Sequence, residues 1–503
     1  MSFSNPTVIM FAVYILVMLG IGIIAYRSTK SSADYVLGGR RLGSFVTAMS
    51  AGASDMSGWL LMGLPGAVYA TGLVESWIAI GLTIGAYLNW LFVAGRLRVH
   101  TEYANNALTL PDYFYHRFGG TNVALKIVPA FIILLFFTVY CASGVVAGGR
   151  LFENLFGIPY ETALWYGALA TIIYTFLGGF LAVSWTDTVQ ATLMMFALTL
   201  APIFVLFQLG GFDEMQMAVM QAGELASKSY TDMFPEGTTT IGLLSLMAWG
   251  LGYCGQPHIV TRFMAADSVQ SLHKARRISI TWMIICLAGA VAVGYFGIPY
   301  FHAHPELAGI VSKDSEQVFI EMTKALFNPW VGGLLLAAII AAVMSTLSCQ
   351  LLISATAITE DLYKGLFRKN AGDQELIWLG RFMVLAVAVV AIFIAQDPES
   401  KVLALVSNAW AGFGSAFGPV VVLSLFWRRM TGAGALAGMI IGALIVKYWD
   451  SAMAGSSLAD VYEMIPAFIS ATVAIIVVSL ITPTPHQDVL DKFDQADADY
   501  KRQ

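Results

Sequence analysis

The chain has 503 residues, of which 58% are hydrophobic and only 12% are charged, and its mean hydropathy is +0.72. These values exclude an ordinary soluble globular protein and predict an all-α integral membrane protein. The formal net charge of −5 gives no reason to expect a nucleic-acid partner. The four cysteines lie within apolar runs without a CxxC or Cys/His pairing, so we interpret them as small buried residues.

About thirteen apolar runs are long enough to cross a bilayer, counting stretches of roughly 17 to 25 residues. The predicted spans are 7–26, 43–71, 75–95, 124–149, 160–183, 187–208, 240–259, 278–300, 329–358, 379–396, 402–427, 433–450 and 462–482. No basic segment precedes the first run and no small-residue cleavage site follows it. We therefore predict that it is retained as a helix and is not a signal peptide.

Basic residues are distributed unevenly between the two sides of these spans. If the N-terminus is outside, the outer segments contain only the following of the 27 basic residues: Arg150, Lys228, Lys313, Lys324, Lys401 and Lys447. Because basic residues accumulate in cytoplasmic loops, this distribution predicts an outer N-terminus and a cytoplasmic C-terminus.

The second span contains an ionisable residue near its centre. Asp55 is the only charged residue between Arg41 and Glu75. A charge within the membrane is costly, so a functional role is the default hypothesis. The neighbouring residues are poor helix formers, which favours an unwound turn at 53–58 whose free backbone groups need polar partners. A cation and a polar solute would supply such partners.

A second glycine-rich interruption, at 250–257 in the seventh span, follows about 195 residues later. The two interruptions would begin on opposite sides of the membrane, which suggests an inverted repeat of a five-helix unit. The alternative is that glycine-rich helices simply pack closely. The repeat divides the chain into an extra helix and inner loop (1–42), a first repeat (43–208), an outer loop (209–239), a second repeat (240–427), two additional helices (428–482) and a cytoplasmic tail (483–503).

Hydroxyl and carbonyl oxygens suitable for a small hard cation occur together in the ninth span. The carbonyl of Ala342 and the hydroxyls of Ser345 and Thr346 share one helix face. The alternative is that both hydroxyls bond back to carbonyls of their own helix.

Asp187 lies at the predicted inner boundary between the fifth and sixth spans. Two interpretations remain open: it caps the start of the sixth span, or it lies on a path by which a cation leaves.

Aromatic residues beside the interruptions or near mid-span form the candidate solute pocket: Trp59, Tyr140, Trp249 and Tyr253. Such rings enclose apolar groups and attract an ammonium group by cation–π interaction. The backbone amides of Ser57 and Gly58, at the start of the second half-helix, suit a carboxylate. A zwitterionic solute fits this combination, although aromatic residues in spans also serve for packing alone.

Four tracts together resemble the sodium:solute symporter family, over about residues 8–480. They are Ala51–Trp59, Gly178–Asp187, Trp249–Tyr253 and Met344–Leu352. The likeness is greatest to the bacterial branch of the family that couples sodium to proline uptake. It implies a five-plus-five inverted-repeat core, a bacterial plasma membrane location, no organic cofactor and no obligate protein partner.

The resemblance also implies which residues hold the ion and the solute. Sodium would be bound by Ala53, Asp55, Met56, Ala342, Ser345 and Thr346. L-proline would be bound by Ser57, Gly58, Trp59, Tyr140, Trp249, Tyr253 and Pro257. Asp187 would serve the passage of the cation, and Asp55 would either touch sodium or organise the broken helix.

Other functions remain open at this point. Within transporters, the coupling ion can be a proton, and the solute can be another amino acid or a monocarboxylate. A membrane-embedded enzyme would use Asp55 and Asp187 as an acid pair, but these lie at different predicted depths. A channel or sensor is the third class, although the tail has no signalling domain.

Overall fold

The structure is a computed structural model that describes residues 5–29, 31–456 and 458–503. Residues 1–4 and 30 of the predicted segment 1–42, and residue 457, lie outside the described part. Within it, every regular element is helical, and the one strand-like contact is an isolated parallel bridge between Leu42 and Ala266.

The α-helices are α1 Pro6–Ser28, α2 Ser32–Leu37, α3 Ser44–Asp55, α4 Leu64–Thr71, α5 Ser76–Leu88, α6 Ala94–Tyr103, α7 Leu110–Arg117, α8 Ala124–Phe156, α9 Tyr160–Gln208, α10 Phe212–Ala226, α11 Thr240–Met247, α12 Pro257–Ala265, α13 Val269–Ala303, α14 Val318–Leu326, α15 Pro329–Thr356, α16 Asp373–Ile394, α17 Val402–Phe426, α18 Gly432–Met453, α19 Met464–Ile481 and α20 Gln487–Arg502. The π-helical segments are Trp59–Gly63, Asn89–Val93 and Ala357–Phe367. The 3₁₀ segments are Gly38–Arg40, Leu73–Glu75, Ala248–Gly255 and Ser315–Gln317.

Ten helical stretches among the described residues are long and apolar enough to cross a membrane. Two shorter apolar pieces, Trp59–Thr71 and Thr240–Gly255, belong to the interrupted second and seventh spans. The predicted all-α membrane protein with discontinuous helices is thus confirmed.

The boundary between the fifth and sixth spans differs from the prediction. The break inside α9 is at Gly179, whose φ of +61° and ψ of −160° are not helical. Glycine adopts a positive φ without the steric penalty of a side chain, so the chain turns there. Asp187 consequently lies well inside the second half of α9, and its interpretation as a helix cap is wrong.

One helix, α15, forms the centre of the molecule. Together with its π-helical continuation to Phe367, it has 94% of the residues in its most apolar window buried, against 28% for α1 and 33% for α18 and α19. A helix that is apolar on all sides is favoured in such a position. The outer helices therefore present their apolar faces to lipid while α15 contacts protein nearly everywhere.

The last helix packs against the end of α6 that is rich in basic residues. Arg96 forms an ion pair with Asp497, and Arg428 Nη2 lies 2.8 Å from a carboxylate oxygen of Asp494. Phe493 is buried against the ring of His100 and the guanidinium of Arg117. The tail is thus an ordered helix on the membrane domain.

Two elements approach so closely that only glycine fits between them. A Cβ at Gly85 of α5 would lie 2.1 Å from the carbonyl oxygen of Gly250, and one at Gly250 would lie 2.2 Å from that of Gly81. Close contact of this kind is how small residues join helices in membranes. It positions the 3₁₀ segment Ala248–Gly255 beside the site described below.

Gly85→Ala is expected to lower the melting temperature by several degrees and to reduce the monodisperse yield, because overpacking costs about 1–3 kcal/mol. Gly20→Ala is the matched control, since a Cβ at Gly20 has no neighbour within 4 Å. Both variants are measured by thermal-shift size exclusion in detergent. Equal stability of the two would contradict the packing argument.

Candidate ion and solute site

The interruption of the second span lies between α3 and the π turn that precedes α4. Helix α3 ends at Asp55, and Met56 leaves the helix with φ −83° and ψ 85°. The break frees backbone carbonyls, each of which costs free energy if it stays unbonded in an apolar interior. The carbonyl of Asp55 accepts hydrogen bonds from the Trp59 indole (3.1 Å) and the Tyr140 hydroxyl (3.4 Å).

The carbonyl of Ala53 is bonded by the two hydroxyls predicted to bind a cation. Ser345 Oγ lies 2.8 Å and Thr346 Oγ1 lies 3.2 Å from the Ala53 oxygen. Ser345 Oγ also lies 3.0 Å from the Ala342 oxygen, so its predicted bond within its own helix is present as well. Four hard oxygen atoms from α3 and α15 thus meet at one buried position. Met56, the first residue after α3, is also fully buried.

The carboxylate of Asp55 is directed towards the second broken helix. Its Oδ2 accepts a hydrogen bond of 2.5 Å from the Tyr253 hydroxyl. Its Oδ1 is buried and has no hydrogen-bond partner among the described residues. The structure therefore connects the two interruptions through this carboxylate, while Ser345 and Thr346 bond the backbone of α3.

The four predicted aromatic residues of the pocket are all buried around the break. The rings of Trp59 and Trp249 have centroids 6.4 Å apart. The Tyr253 hydroxyl bonds the carboxylate of Asp55, and the Tyr140 hydroxyl bonds the backbone carbonyl of the same residue. None of the four is more than 5% exposed, so a solute reaches them only when the surrounding helices separate.

Three residues that the sequence analysis missed hold these rings in place. The Trp410 indole donates to the Trp249 carbonyl (2.8 Å), and its own carbonyl accepts from Gln256 Nε2 (3.1 Å). Tyr462 stacks on Trp249 at 5.7 Å with an interplanar angle of 22°. Trp410 lies in the middle of a predicted span, so the criterion that identified Tyr140 would also have identified it.

The remaining predicted solute residues have different surroundings. Ser57 Oγ accepts from the Trp59 amide at 3.4 Å, and the Ser57 amide donates to the Asp55 carbonyl at 3.1 Å. A solute carboxylate at that amide would have to replace this bond. A Cβ at Gly58 would lie 2.6 Å from Ala147 Cβ, so the backbone passes close to α8. Pro257 begins α12 and lines a separate small cavity.

Asp187 belongs to a second buried polar cluster. Its Oδ2 lies 2.7 Å from Ser50 Oγ, 3.4 Å from Arg262 Nη2 and 3.6 Å from Cys349 Sγ. Arg262 also donates to Ser50 Oγ (3.1 Å) and to the His258 carbonyl (2.9 Å). This cluster joins α3, α9, α12 and α15. Arg262 lies outside the predicted spans, so the sequence alone did not indicate it as a partner of Asp187.

A charged loop closes the site at the end opposite the basic residues. Glu316 accepts two amide hydrogens at the start of α17, each at 3.0 Å, and the same loop contacts the π turn after the break. Asp314 bonds Lys401 Nζ at 2.8 Å. Burial alone would raise the pKa of Asp314, but the hydrogen bond and charge of Lys401 hold it below its usual range.

The chain matches known transport proteins over its whole length. The model of the sodium:solute symporter family matches residues 35–442. A sodium/proline symporter of Haemophilus influenzae is 64% identical over 498 residues, with 99% of each chain covered. One of Escherichia coli is 61% identical over 99% of this chain and 98% of the relative. A high-affinity proline transporter of Bacillus subtilis is 50% identical over 95% and 98%.

A solved structure of a Na⁺-coupled sialic acid symporter in a substrate-bound, outward-open state shares the fold. Its TM-score is 0.79 at 19% identity, and the match includes 97% of this chain and 100% of that chain. Since the family model includes well over half of the residues and the relatives align from end to end, this chain belongs to the sodium:solute symporter family.

Proposed function

We propose that this protein is a sodium-coupled symporter that takes up L-proline by alternating access across a bacterial inner membrane. The observation that carries the proposal is the meeting of the Ser345 and Thr346 hydroxyls with the Ala53 carbonyl at the break of the second span. The named relatives at 61% and 64% identity support the choice of sodium and proline.

In the proposed sodium site, the ion takes the place of the hydroxyl protons at the Ala53 carbonyl. Ser345 and Thr346 would then rotate their hydroxyls so that a lone pair of each faces the ion, with the Ala342 and Met56 carbonyls as further ligands. Neutral oxygens bind a monovalent cation without making its release too costly. The ion thereby holds α3 against α15.

In the proposed solute site, the rings of Trp59, Trp249, Tyr140 and Tyr253 enclose the pyrrolidine ring. The carboxylate of proline would bind near Ser57 and Gly58, and its ammonium group would lie near the aromatic faces. Asp55 is the last residue of α3 before the break that would hold sodium, and its carboxylate bonds Tyr253 of this pocket. Because the two sites share one break, sodium binding would shape the pocket, and proline would tighten sodium binding by the same factor.

We also propose the predicted arrangement in the membrane, with the N-terminus outside, the C-terminus in the cytoplasm and two inverted repeats over 43–208 and 240–427. Two features support the repeats: each half contains an interrupted span, at 56–58 and at 248–256, and the Asp55–Tyr253 bond joins the two. With this orientation the membrane potential adds roughly 2.3 kcal/mol per charge per 100 mV to sodium uptake. Asp187, buried beside Arg262, would serve the passage of the ion.

Uptake of labelled L-proline into proteoliposomes tests the function directly. Accumulation is expected under an inward sodium gradient and not under a proton gradient of equal size. Unlabelled amino acids and monocarboxylates added in excess identify competing solutes. Accumulation driven by protons alone would overturn the choice of coupling ion, and no accumulation under either gradient would overturn proline as the solute.

Asp55→Asn is expected to abolish coupled uptake, because the neutral amide cannot keep the charged hydrogen bond to Tyr253 or attract sodium. Asp213→Asn, which changes an exposed carboxylate on α10, is the control and should transport normally. Initial uptake rates at several sodium concentrations measure both. Normal sodium dependence in Asp55→Asn would contradict the role assigned to this residue.

Thr346→Ala is expected to raise the sodium concentration for half-maximal uptake by about tenfold, since it removes one oxygen ligand. The affinity for proline at saturating sodium should change much less. Thr175→Ala is the control: Thr175 is also buried, but among the described residues its hydroxyl bonds the Thr171 carbonyl of its own helix, at 2.7 Å, and no other group. The reverse order of effects, with proline affinity disturbed more, would count against the sodium site.

A further inference from the structure

A small cavity has in its wall both Pro257, one of the predicted solute residues, and the pair Thr109 and Asp361. Its volume is about 20 Å³, which is room for roughly one water molecule. Its walls include Pro257, Thr261, Ile133, Ile353, Thr109 and Asp361. In this state, a solute that leaves past Pro257 meets a constriction.

A much larger cavity, of about 610 Å³, begins on the other side of that constriction. The two cavities share Leu108, Thr109 and Asp361 as lining residues. The larger one is lined by Lys126, Lys364 and Lys369 and by acidic residues. In the proposed orientation it faces the cytoplasm.

A hydrogen bond of 2.7 Å between the Thr109 hydroxyl and Asp361 Oδ1 separates the two cavities. Thr109 also caps α7, since its Oγ1 lies 3.0 Å from the Asp112 amide. Asp361 is 1% exposed, and its Oδ2 has no hydrogen-bond partner among the described residues. The bond therefore ties the start of α7 to the end of the central helix and leaves one buried carboxylate oxygen unsatisfied.

Two of the three lysines that line the larger cavity already have partners. Lys126 Nζ lies 2.6 Å from Asp112, and Lys364 Nζ lies 3.0 Å from Glu360. No ion pair to Asp361 is formed within the described ranges. A cationic group that arrives in the constriction would thus find a buried carboxylate without a basic partner.

Asp361 lies on the same continuous helix as the proposed sodium ligands. It follows Thr346 by four turns, or about 22 Å along the axis, and belongs to the π-helical segment Ala357–Phe367. π-Helical segments are uncommon and occur frequently at functional sites. A shift of α15 on sodium release would therefore reach the Thr109–Asp361 bond directly.

Building on the proposed function, we propose that the Thr109–Asp361 pair is the inner barrier of the solute path, and that the Asp361 carboxylate receives the ammonium group of the departing amino acid. Breaking the bond leaves a buried carboxylate without its donor, which is costly. The ammonium group offsets that cost as it replaces the hydroxyl. The apolar walls of the small cavity suit the hydrocarbon part of the solute.

Thiol labelling tests the barrier without any transport measurement. Thr261→Cys is introduced into a protein whose four native cysteines are replaced, and inside-out vesicles are treated with a membrane-impermeant maleimide. Thr109→Val, which removes the hydroxyl at constant shape, is expected to speed labelling of the introduced thiol about tenfold. Thr109→Ser is the matched control, because it keeps the donor and the cap, and it should label at the original rate. Equal labelling rates for the Val and Ser variants would overturn the barrier.

Exchange of labelled for unlabelled L-proline, with saturating sodium on both sides, tests the carboxylate. Asp361→Asn is expected to slow exchange at least about tenfold, and Asp361→Glu is expected to restore part of the rate. Sodium-dependent proline binding in detergent checks the fold of each variant. Exchange by a folded Asp361→Asn protein at the original rate would overturn the role of Asp361.

The two proposals fail in distinguishable ways. If the unaltered protein exchanges no proline, the proposed function is wrong, while the labelling comparison still decides whether Thr109 and Asp361 close the path. If Asp361→Asn does not fold, the comparison of Thr109→Val with Thr109→Ser and the measurement on Asp361→Glu remain decisive, since these three variants keep a buried carboxylate.

Discussion

The structure depends on the need to bond the backbone groups that a broken helix exposes inside a membrane. An interrupted helix in an apolar interior is stable only if other helices supply donors for its carbonyls. Here two hydroxyls of α15 donate to the Ala53 carbonyl. The indole of Trp59 and the hydroxyl of Tyr140 donate to the Asp55 carbonyl. The break is therefore the point where α3, α8 and α15 are held together. A ligand that replaces any of these donors changes the contacts among all three.

Two buried carboxylates connect this junction to further helices. The Asp55 carboxylate connects the first break to Tyr253 in the second, and the Asp187–Arg262 pair connects α9 to α12 beside it. Burying such groups costs several kcal/mol in desolvation, and a buried ion pair is weak evidence for stability. Transport gives a better reason for keeping them, because groups that exchange partners let two arrangements of the same helices have similar free energies.

Different chemistry joins the helices at the two ends of the site. At one end Glu316 and the Asp314–Lys401 pair hold a loop against the start of α17. At the other end the Thr109 hydroxyl bonds Asp361 and so joins the start of α7 to the continuation of α15. The central helix thus carries both the hydroxyls at the break and one partner of the Thr109–Asp361 bond, so a movement of α15 acts on both.

The sequence alone determined the class of protein and the broken second span, and it nominated candidate polar residues, because apolar runs, helix-breaking residues and a membrane carboxylate each have a local energetic meaning. Only the tertiary structure decided the partners. Ser345 bonds a carbonyl 292 residues away, Asp55 turns to Tyr253, and Arg262 reaches Asp187 across 75 residues. The tertiary structure also shows that the break in α9 lies at Gly179 and that Pro257 lines another cavity. A local pattern states that a buried polar group needs a partner, but the packing of distant helices selects which one.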